Sequence, residues 1–228
     1  MQYIIILLSL IGVVSAQVNK ELEYYENGNI LSERIHYGDT IFFVEYYDNG
    51  KKIIEGVFLN NLQHGNWFDY YENGEIERAS TYYNDKLNGD YREYSADGIL
   101  LISGTFKNNK KAGIWSEFFE NGNKKSQIEF SSSGFNGKKS GQFKHWYQSG
   151  KLKSSGEYKN NLEHGTFLNW SENGDLQYEE NYHLGGKDGE WKVFWKNGKL
   201  KFKDLYKNGK LISELCYDKS EKEINCYK

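Results

Sequence analysis

Apolar and polar residues alternate along most of the chain, in short segments that end at turn-forming residues. In the segment after Gly98, the side chains of Leu100, Ile102 and Phe106 fall on one face of an extended strand, because side chains two residues apart point to the same side. Helical periodicity is missing, since no long window places apolar residues at three-and-four spacing. The pattern therefore predicts an all-β chain with about two strands per repeated unit.

Two series of glycines mark the repeated unit. Each second-series glycine precedes a first-series glycine by nine residues, and the usual step within a series is 24 residues. Tandem units of this kind contact mainly their neighbours, and antiparallel strands twist as they pair. We therefore predict an elongated, twisted, single-layer antiparallel meander of tandem 24-residue hairpin repeats. The first series is Gly28, Gly50, Gly74, Gly98, Gly122, Gly150, Gly174 and Gly198, and the second is Gly65, Gly89, Gly113, Gly141, Gly165 and Gly189.

Each unit has recurrent turn and ring positions. Asn-Gly pairs such as Asn73–Gly74 precede the return strand, and they accept the positive φ angles of two-residue hairpin turns. Aromatic residues stand two and five residues after the second-series glycine, as at Trp67 and Tyr70. These two positions are three residues apart, so strict alternation puts their side chains on opposite faces of the strand. Either both faces carry rings, or a bulge brings the two rings to the same face. Glycine six residues after the turn, as at Gly104, is expected to leave room for a neighbouring ring.

The first 16 residues differ from the array. Residues 4–14 are almost wholly apolar, and Val14, Ser15 and Ala16 are small residues of the kind found at a signal-peptidase site. We interpret 1–16 as a signal peptide, 17–217 as the repeat array and 218–228 as a C-terminal capping tail. Since no Lys or Arg precedes the apolar run, a buried first strand is the alternative. The run is short for a membrane span, so the predicted localisation is periplasmic, outer-envelope or secreted.

Composition narrows the function classes. Aromatic residues make up 17% of the chain and proline is absent, which suits strands covered by rings and excludes a disordered chain. The formal net charge is -3, with acidic and basic residues interspersed. This balance gives no reason to expect a nucleic-acid partner or an anionic membrane surface.

The repeated motif resembles a known family. Residues 65–74 read Gly-x-Trp-x-x-Tyr-Tyr-x-Asn-Gly, and closely similar segments recur at 113–122 and 189–198. This motif resembles the MORN-repeat variant family of bacterial tandem β-hairpin repeats, over Tyr24 to about Tyr217. The resemblance implies a hairpin array. Bacterial members are often catalogued as antitoxin components of toxin–antitoxin systems, so an antitoxin or immunity partner is one function that the resemblance implies.

Few residues are arranged for chemistry. His64 and His164 occupy the same turn slot four units apart, roughly 40 Å in an extended sheet, so they cannot share a metal ion. We expect no catalytic residues, no metal and no cofactor, because nothing assembles a nucleophile, a base and an oxyanion site. Cys216 and Cys226 flank a charged turn, and in an exported chain we expect them to form a disulfide across a terminal hairpin.

Rings that occur in only some units are the candidate contact residues. Six residues after the second-series glycine, serine at Ser95 and Ser171 replaces the ring that other units carry. We therefore predict an exported, non-enzymatic scaffold that binds another protein or an envelope component, with no membrane span. The alternatives are an antitoxin that neutralises a cognate toxin, and a cell-envelope structural or glycan-binding protein. The predicted partner-binding residues are Tyr71, Phe119, Tyr147 and Trp195.

Overall fold

The protein is described here from a computed structural model, which defines residues 18–131 and 137–226. Within these ranges every regular element is a strand, and, apart from one two-residue strand, each strand pairs antiparallel with the next strand along the chain. The two-residue strand Gly186–Lys187 is followed in the same direction by Gly189–Phe194, and both pair with Leu176–His183. The result is one open sheet, which confirms the predicted meander of hairpins. The predicted signal peptide and residues 132–136 of the insertion lie outside the described ranges.

The strands are β1 (Asn19–Tyr24), β2 (Ile30–Tyr37), β3 (Thr40–Tyr46), β4 (Lys52–Leu59), β5 (Leu62–Tyr70), β6 (Ile76–Tyr83), β7 (Lys86–Tyr94), β8 (Leu100–Lys107), β9 (Lys110–Phe118), β10 (Lys124–Phe130), β11 (Lys139–Trp146), β12 (Leu152–Lys159), β13 (Leu162–Trp170), β14 (Leu176–His183), β15 (Gly186–Lys187), β16 (Gly189–Phe194), β17 (Leu200–Lys207), β18 (Lys210–Tyr217) and β19 (Glu223–Ile224).

The two rims of the sheet use different turns, and the prediction of two-residue Asn-Gly turns is wrong. At Asn73–Gly74 the amide of Tyr71 donates to the Glu75 carbonyl, which leaves a three-residue loop in which only Gly74 has a positive φ. This is a turn closed by a glycine bulge. The two-residue turns lie on the opposite rim, where Asn60 and Asn61 both have positive φ between the paired residues at the ends of β4 and β5. We call these the Asn-Gly rim and the Asn-Asn rim.

One face of the sheet carries a row of aromatic side chains that we call the ring ladder. Neighbouring rings that touch have centroids 4.9 to 6.4 Å apart, within the usual range for aromatic pairs. Several of these rings are buried although the sheet has one layer, as for Trp67 (2% exposed) and Phe143 (5%). The ring ladder consists of Phe43, Phe58, Trp67, Tyr82, Tyr91, Phe106, Trp115, Phe130, Phe143, Tyr158, Phe167, Tyr182, Trp191 and Tyr206.

Bulges place the ladder rings over glycines, as expected. Glu55 pairs with Phe68 and Val57 with His64, so three residues of β5 stand opposite Gly56 alone. The Trp67 ring fills the position where a Gly56 side chain would lie. Its indole N–H donates to the carbonyl of Val57 at 3.2 Å, which gives the buried indole nitrogen a hydrogen-bond acceptor. The same bond joins Trp115 to Thr105 and Trp191 to Asn181 in later units.

Both faces of the sheet carry rings, so the two aromatic positions of the motif lie on opposite faces. Since Gly56 lies beneath Trp67, the side chain of its neighbour Glu55 points to the other face. The Tyr70 hydroxyl donates to the Glu55 carboxylate, so Tyr70 lies on the face opposite to Trp67.

Hydrogen bonds along the Asn-Asn rim latch each turn to the preceding unit. The amide of Asp85 donates to the Gln63 carbonyl at 3.1 Å, and the amide of Gln63 donates back to the Asp85 carboxylate at 2.6 Å. Asn109 and Leu87 exchange the same two bonds at 2.9 and 2.7 Å. Asparagine and aspartate in these turns therefore serve two purposes, since they accept positive φ and hold adjacent hairpins together.

The C-terminal end of the sheet is closed only in part. Strand β19 covers Cys216 and Tyr217 of β18, and Cys216 is joined to Cys226 by a disulfide with the Cα atoms 5.4 Å apart. At the opposite end β1 pairs only with β2 among the residues that the structure describes. No helix within the described residues has the length and apolar character needed to cross a membrane.

Candidate protein-binding surface

The predicted partner-binding rings lie along the Asn-Gly rim, where they connect successive units. The Tyr71 hydroxyl donates to the carbonyl of Tyr94 at 2.8 Å, and the Tyr147 hydroxyl donates to the carbonyl of Trp170 at 2.8 Å. The indole N–H of Trp195 donates to the Tyr217 carbonyl at 3.2 Å. Each of these side chains is half-buried. We call them rim tethers, because each one joins the turn of its unit to the outgoing strand of the next.

The residues at the same position of other units show why this position varies along the array. Tyr25 and Tyr47, which the sequence interpretation did not single out, form the same tether to the carbonyls of Tyr46 and Tyr70, at 2.6 and 3.1 Å. Phe119 occupies the position without a polar side-chain atom. The serines turn inward instead, since Ser95 Oγ accepts the amide of Ile99 at 3.2 Å. These positions follow one another along the rim, so the structure does not gather the four predicted rings into one site.

A surface that sheet formation does not require lies on the other face of the first three units. Phe42 stands directly opposite Ile35 and Val57 in the strand register, so the three side chains share one face. Phe42 is 51% exposed. Its chain neighbour Phe43 belongs to the ring ladder, which places Phe42 on the face away from the ladder. We call this surface the N-terminal apolar patch; it consists of Leu22, Ile35, Phe42, Val44, Val57 and Phe68.

Two carboxylates lie within the patch, and both are paired. Glu33 stands opposite Leu22 and Val44 and forms an ion pair with Lys20 at 2.9 Å. Glu55 stands opposite Val44 and Phe68, pairs with Lys52 at 2.6 Å and accepts the Tyr70 hydroxyl. Burial, then the hydrogen bond to Glu55, raises the pKa of Tyr70. The patch therefore presents apolar side chains beside two carboxylates whose charge is already balanced by lysines.

Later units carry mostly polar side chains at the same positions. The residues that match Phe42 are, in chain order, Asn66, Asp90, Ile114, Gln142, Thr166 and Glu190. The residues that match Val57 are Thr81, Thr105, Glu129, Glu157, Asn181 and Leu205. Because most hairpins of later units form with polar residues here, the patch is not needed to build the sheet.

The sequence contained a signal for this patch that the ring positions obscured. In β3 the four residues from Ile41 to Val44 are all apolar, and β4 has apolar residues at both parities. A strand with one solvated face should alternate, so a continuous apolar run in a single-layer sheet marks a second apolar face. The prediction concentrated on residues that vary between units at one aromatic position, and it passed over this break in alternation.

The structure gives no reason to assign a metal site. Within residues 18–131 and 137–226, no group of three or more His, Cys, Asp or Glu side chains is placed to hold an ion. His64 packs against Tyr83 in a tilted arrangement with ring centroids 5.2 Å apart, and His164 packs against His183 in the same way at 5.3 Å. Both histidines therefore pack beside the Asn-Asn rim, each with a neighbouring ring.

Comparison with known proteins identifies the repeat. The model of the MORN repeat variant family matches residues 17–39, 63–84, 87–108, 111–131, 139–160, 163–183, 187–208 and 201–219. The longest interval without a match is 40–62, which contains the three central patch residues Phe42, Val44 and Val57. No curated protein matches the chain.

One solved structure aligns with most of the chain at very low similarity. It is described as the crystal structure of TcdB2-TccC3, and it is 11% identical over 88% of this chain and 14% of that chain, with a TM-score of 0.19.

Proposed function

Because the chain belongs to the MORN repeat variant family and carries an apolar surface that most of its units lack, we propose that it is a non-enzymatic scaffold that binds another protein through the N-terminal apolar patch. Repeat arrays offer extended surfaces on a rigid body. Exposed apolar patches bordered by polar residues are typical of protein–protein contacts. The observation that carries the proposal is the exposed Phe42 between Ile35 and Val57, on the face that the ring ladder does not use.

The chemistry of the patch favours a protein partner over a glycan. Four of the six side chains are aliphatic, and its two carboxylates are already engaged by lysines. A partner segment with several apolar side chains would bury this carbon and leave the ion pairs intact. We further propose that binding takes place after export, on the grounds of the apolar N-terminal segment and the small residues up to Ala16. An antitoxin would be the special case in which the partner is a toxin.

The test replaces one patch residue and one matched residue. Phe42→Asp places a charge in the patch, whereas Ile114→Asp makes the same change at the equivalent position of a later unit, which is 57% exposed. Tagged proteins are recovered from envelope and extracellular fractions of the producing cell after crosslinking, where a chain that begins at Gln17 is expected. We expect Phe42→Asp to lower the yield of the crosslinked partner by about tenfold or more, and Ile114→Asp to leave it unchanged.

Both substitutions lie on the surface, so both variants should melt within a few degrees of the natural protein. If Phe42→Asp folds and captures the same partner at the same yield, the patch is not the binding surface. If the crosslinked partner is a toxin, this protein acts as an antitoxin.

A further inference from the structure

Among the described residues, the last full strand of the sheet, β18, has an outer edge that is open along most of its length. In earlier units the outgoing strand pairs with a long return strand, as β5 pairs with β6 from Gly65 to Tyr70. Strand β18 pairs along its length with β17, but its return strand β19 covers only Cys216 and Tyr217. The five residues from Lys210 to Glu214 are exposed. They form an edge to which another strand could add.

This edge lacks the protection found at the other end of the sheet. Three of the six residues of β1 are charged, and two of them form ion pairs, Lys20 with Glu33 and Glu23 with Arg34. Charged side chains of this kind hinder edge-to-edge pairing. The open part of β18 instead exposes Leu211 (49%) and Ile212 (59%) next to each other. The two ends of the sheet therefore differ in their tendency to pair.

The charges of the open segment make it complementary to itself. Lys210 lies at its beginning and Glu214 at its end, with Leu211, Ile212 and Ser213 between them. When two copies of the segment run antiparallel about a two-fold axis near Ile212, Lys210 of each copy lies beside Glu214 of the other. A two-fold interface uses the same surface on both subunits, and opposite charges facing each other across strands stabilise the pair.

We propose that the protein forms a two-fold dimer through the open edge of β18, in which the two sheets join into one. The disulfide between Cys216 and Cys226 keeps β19 in place and limits the junction to the segment before Leu215.

Charge reversal tests the arrangement on the full oxidised chain. Lys210→Glu places two carboxylates beside each other at both ends of the junction, and Glu214→Lys places two ammonium groups there. We expect each single variant to raise the dissociation constant by about fivefold to tenfold per dimer. The double variant Lys210→Glu/Glu214→Lys should restore it, and an equimolar mixture of the two single variants should form a heterodimer. Sedimentation equilibrium at several protein concentrations measures all four cases.

Two controls make the outcome decisive. Lys196→Glu changes a charge in an exposed turn away from the edge and should leave the dissociation constant unchanged, while circular dichroism checks that every variant retains its strands. A monomer at all concentrations up to the millimolar range overturns the proposal. A dimer that is indifferent to both single reversals overturns it as well, because the contact would then lie on another surface.

Discussion

Gly104 shows how a single residue determines the packing of a unit. An added Cβ would lie 2.3 Å from Cδ2 of Trp115, so the indole must move or the two strands must separate. The backbone of Gly104 does not have a positive φ, and any residue could adopt it. The requirement for glycine therefore comes from the ring above it.

We expect Gly104→Ala to lower the free energy of unfolding by about 1–3 kcal/mol through overpacking. The matched control is Ser103→Ala, the adjacent residue on the opposite face, for which the change should stay within about 0.5 kcal/mol. Urea unfolding of both variants measures the difference. Equal midpoints for the two would mean that Trp115 relocates without loss of packing.

At the scale of elements, the rim tethers connect successive hairpins along the Asn-Gly rim, as the turn hydrogen bonds do along the Asn-Asn rim. Tyr147 illustrates the point, because its hydroxyl reaches the carbonyl of Trp170 at the end of the next outgoing strand. Its ring also lies beneath Lys153, whose Nζ is 5.5 Å from the centroid. One side chain thus links two units and carries a cation on its face.

We expect Tyr147→Phe to lower the free energy of unfolding by about 0.5–1.5 kcal/mol, since the carbonyl of Trp170 loses its donor while the ring stays. Tyr178→Phe removes a hydroxyl from an exposed tyrosine and serves as the control, with little expected change. Thermal unfolding compares the two. If Tyr147→Phe has full stability but reduced partner capture, the position serves binding, as the sequence first indicated, and the tether is incidental.

The hairpins could be predicted from the sequence, whereas their connections could not. Glycine spacing and period-two alternation are local signals, and they placed Trp67 and its return strand in the right order. Turn type depends on the register of both flanking strands, and Asn73–Gly74 and Asn60–Asn61 carry similar local signals. The tether of Tyr71 joins residues 23 positions apart, and the apolar patch combines side chains of three units. Neither feature can therefore be predicted from the sequence of a single unit.

At the scale of the whole molecule, the junction between β10 and β11 has fewer contacts across it than a regular junction such as that between β5 and β6. Among the described residues, four register pairs join β10 to β11, compared with six between β5 and β6. Phe119 has no side-chain donor for a rim tether across this junction. The side-chain amides of Asn121 and Asn123 both donate to the Gln148 carbonyl at 2.9 Å. In addition, Ile128 occupies the position where Gly104 and Gly156 admit a ring.

We expect amide hydrogen exchange in β10 and β11 to be faster than in β5 and β6, because opening at this junction breaks fewer contacts. Exchange followed by mass spectrometry on peptides from both regions provides the comparison, with the β5–β6 hairpin as the internal reference. Uniform protection across the two regions would show that the side-chain hydrogen bonds of Asn121 and Asn123 compensate for the missing tether.

Because each hairpin rests only on the hairpins before and after it, the number of copies sets the reach of the molecule. Every additional unit moves the two ends apart by roughly 10 Å, without any change to the units already present. The chain can therefore be understood as a ruler, whose span is counted in repeats and whose two ends are free to differ.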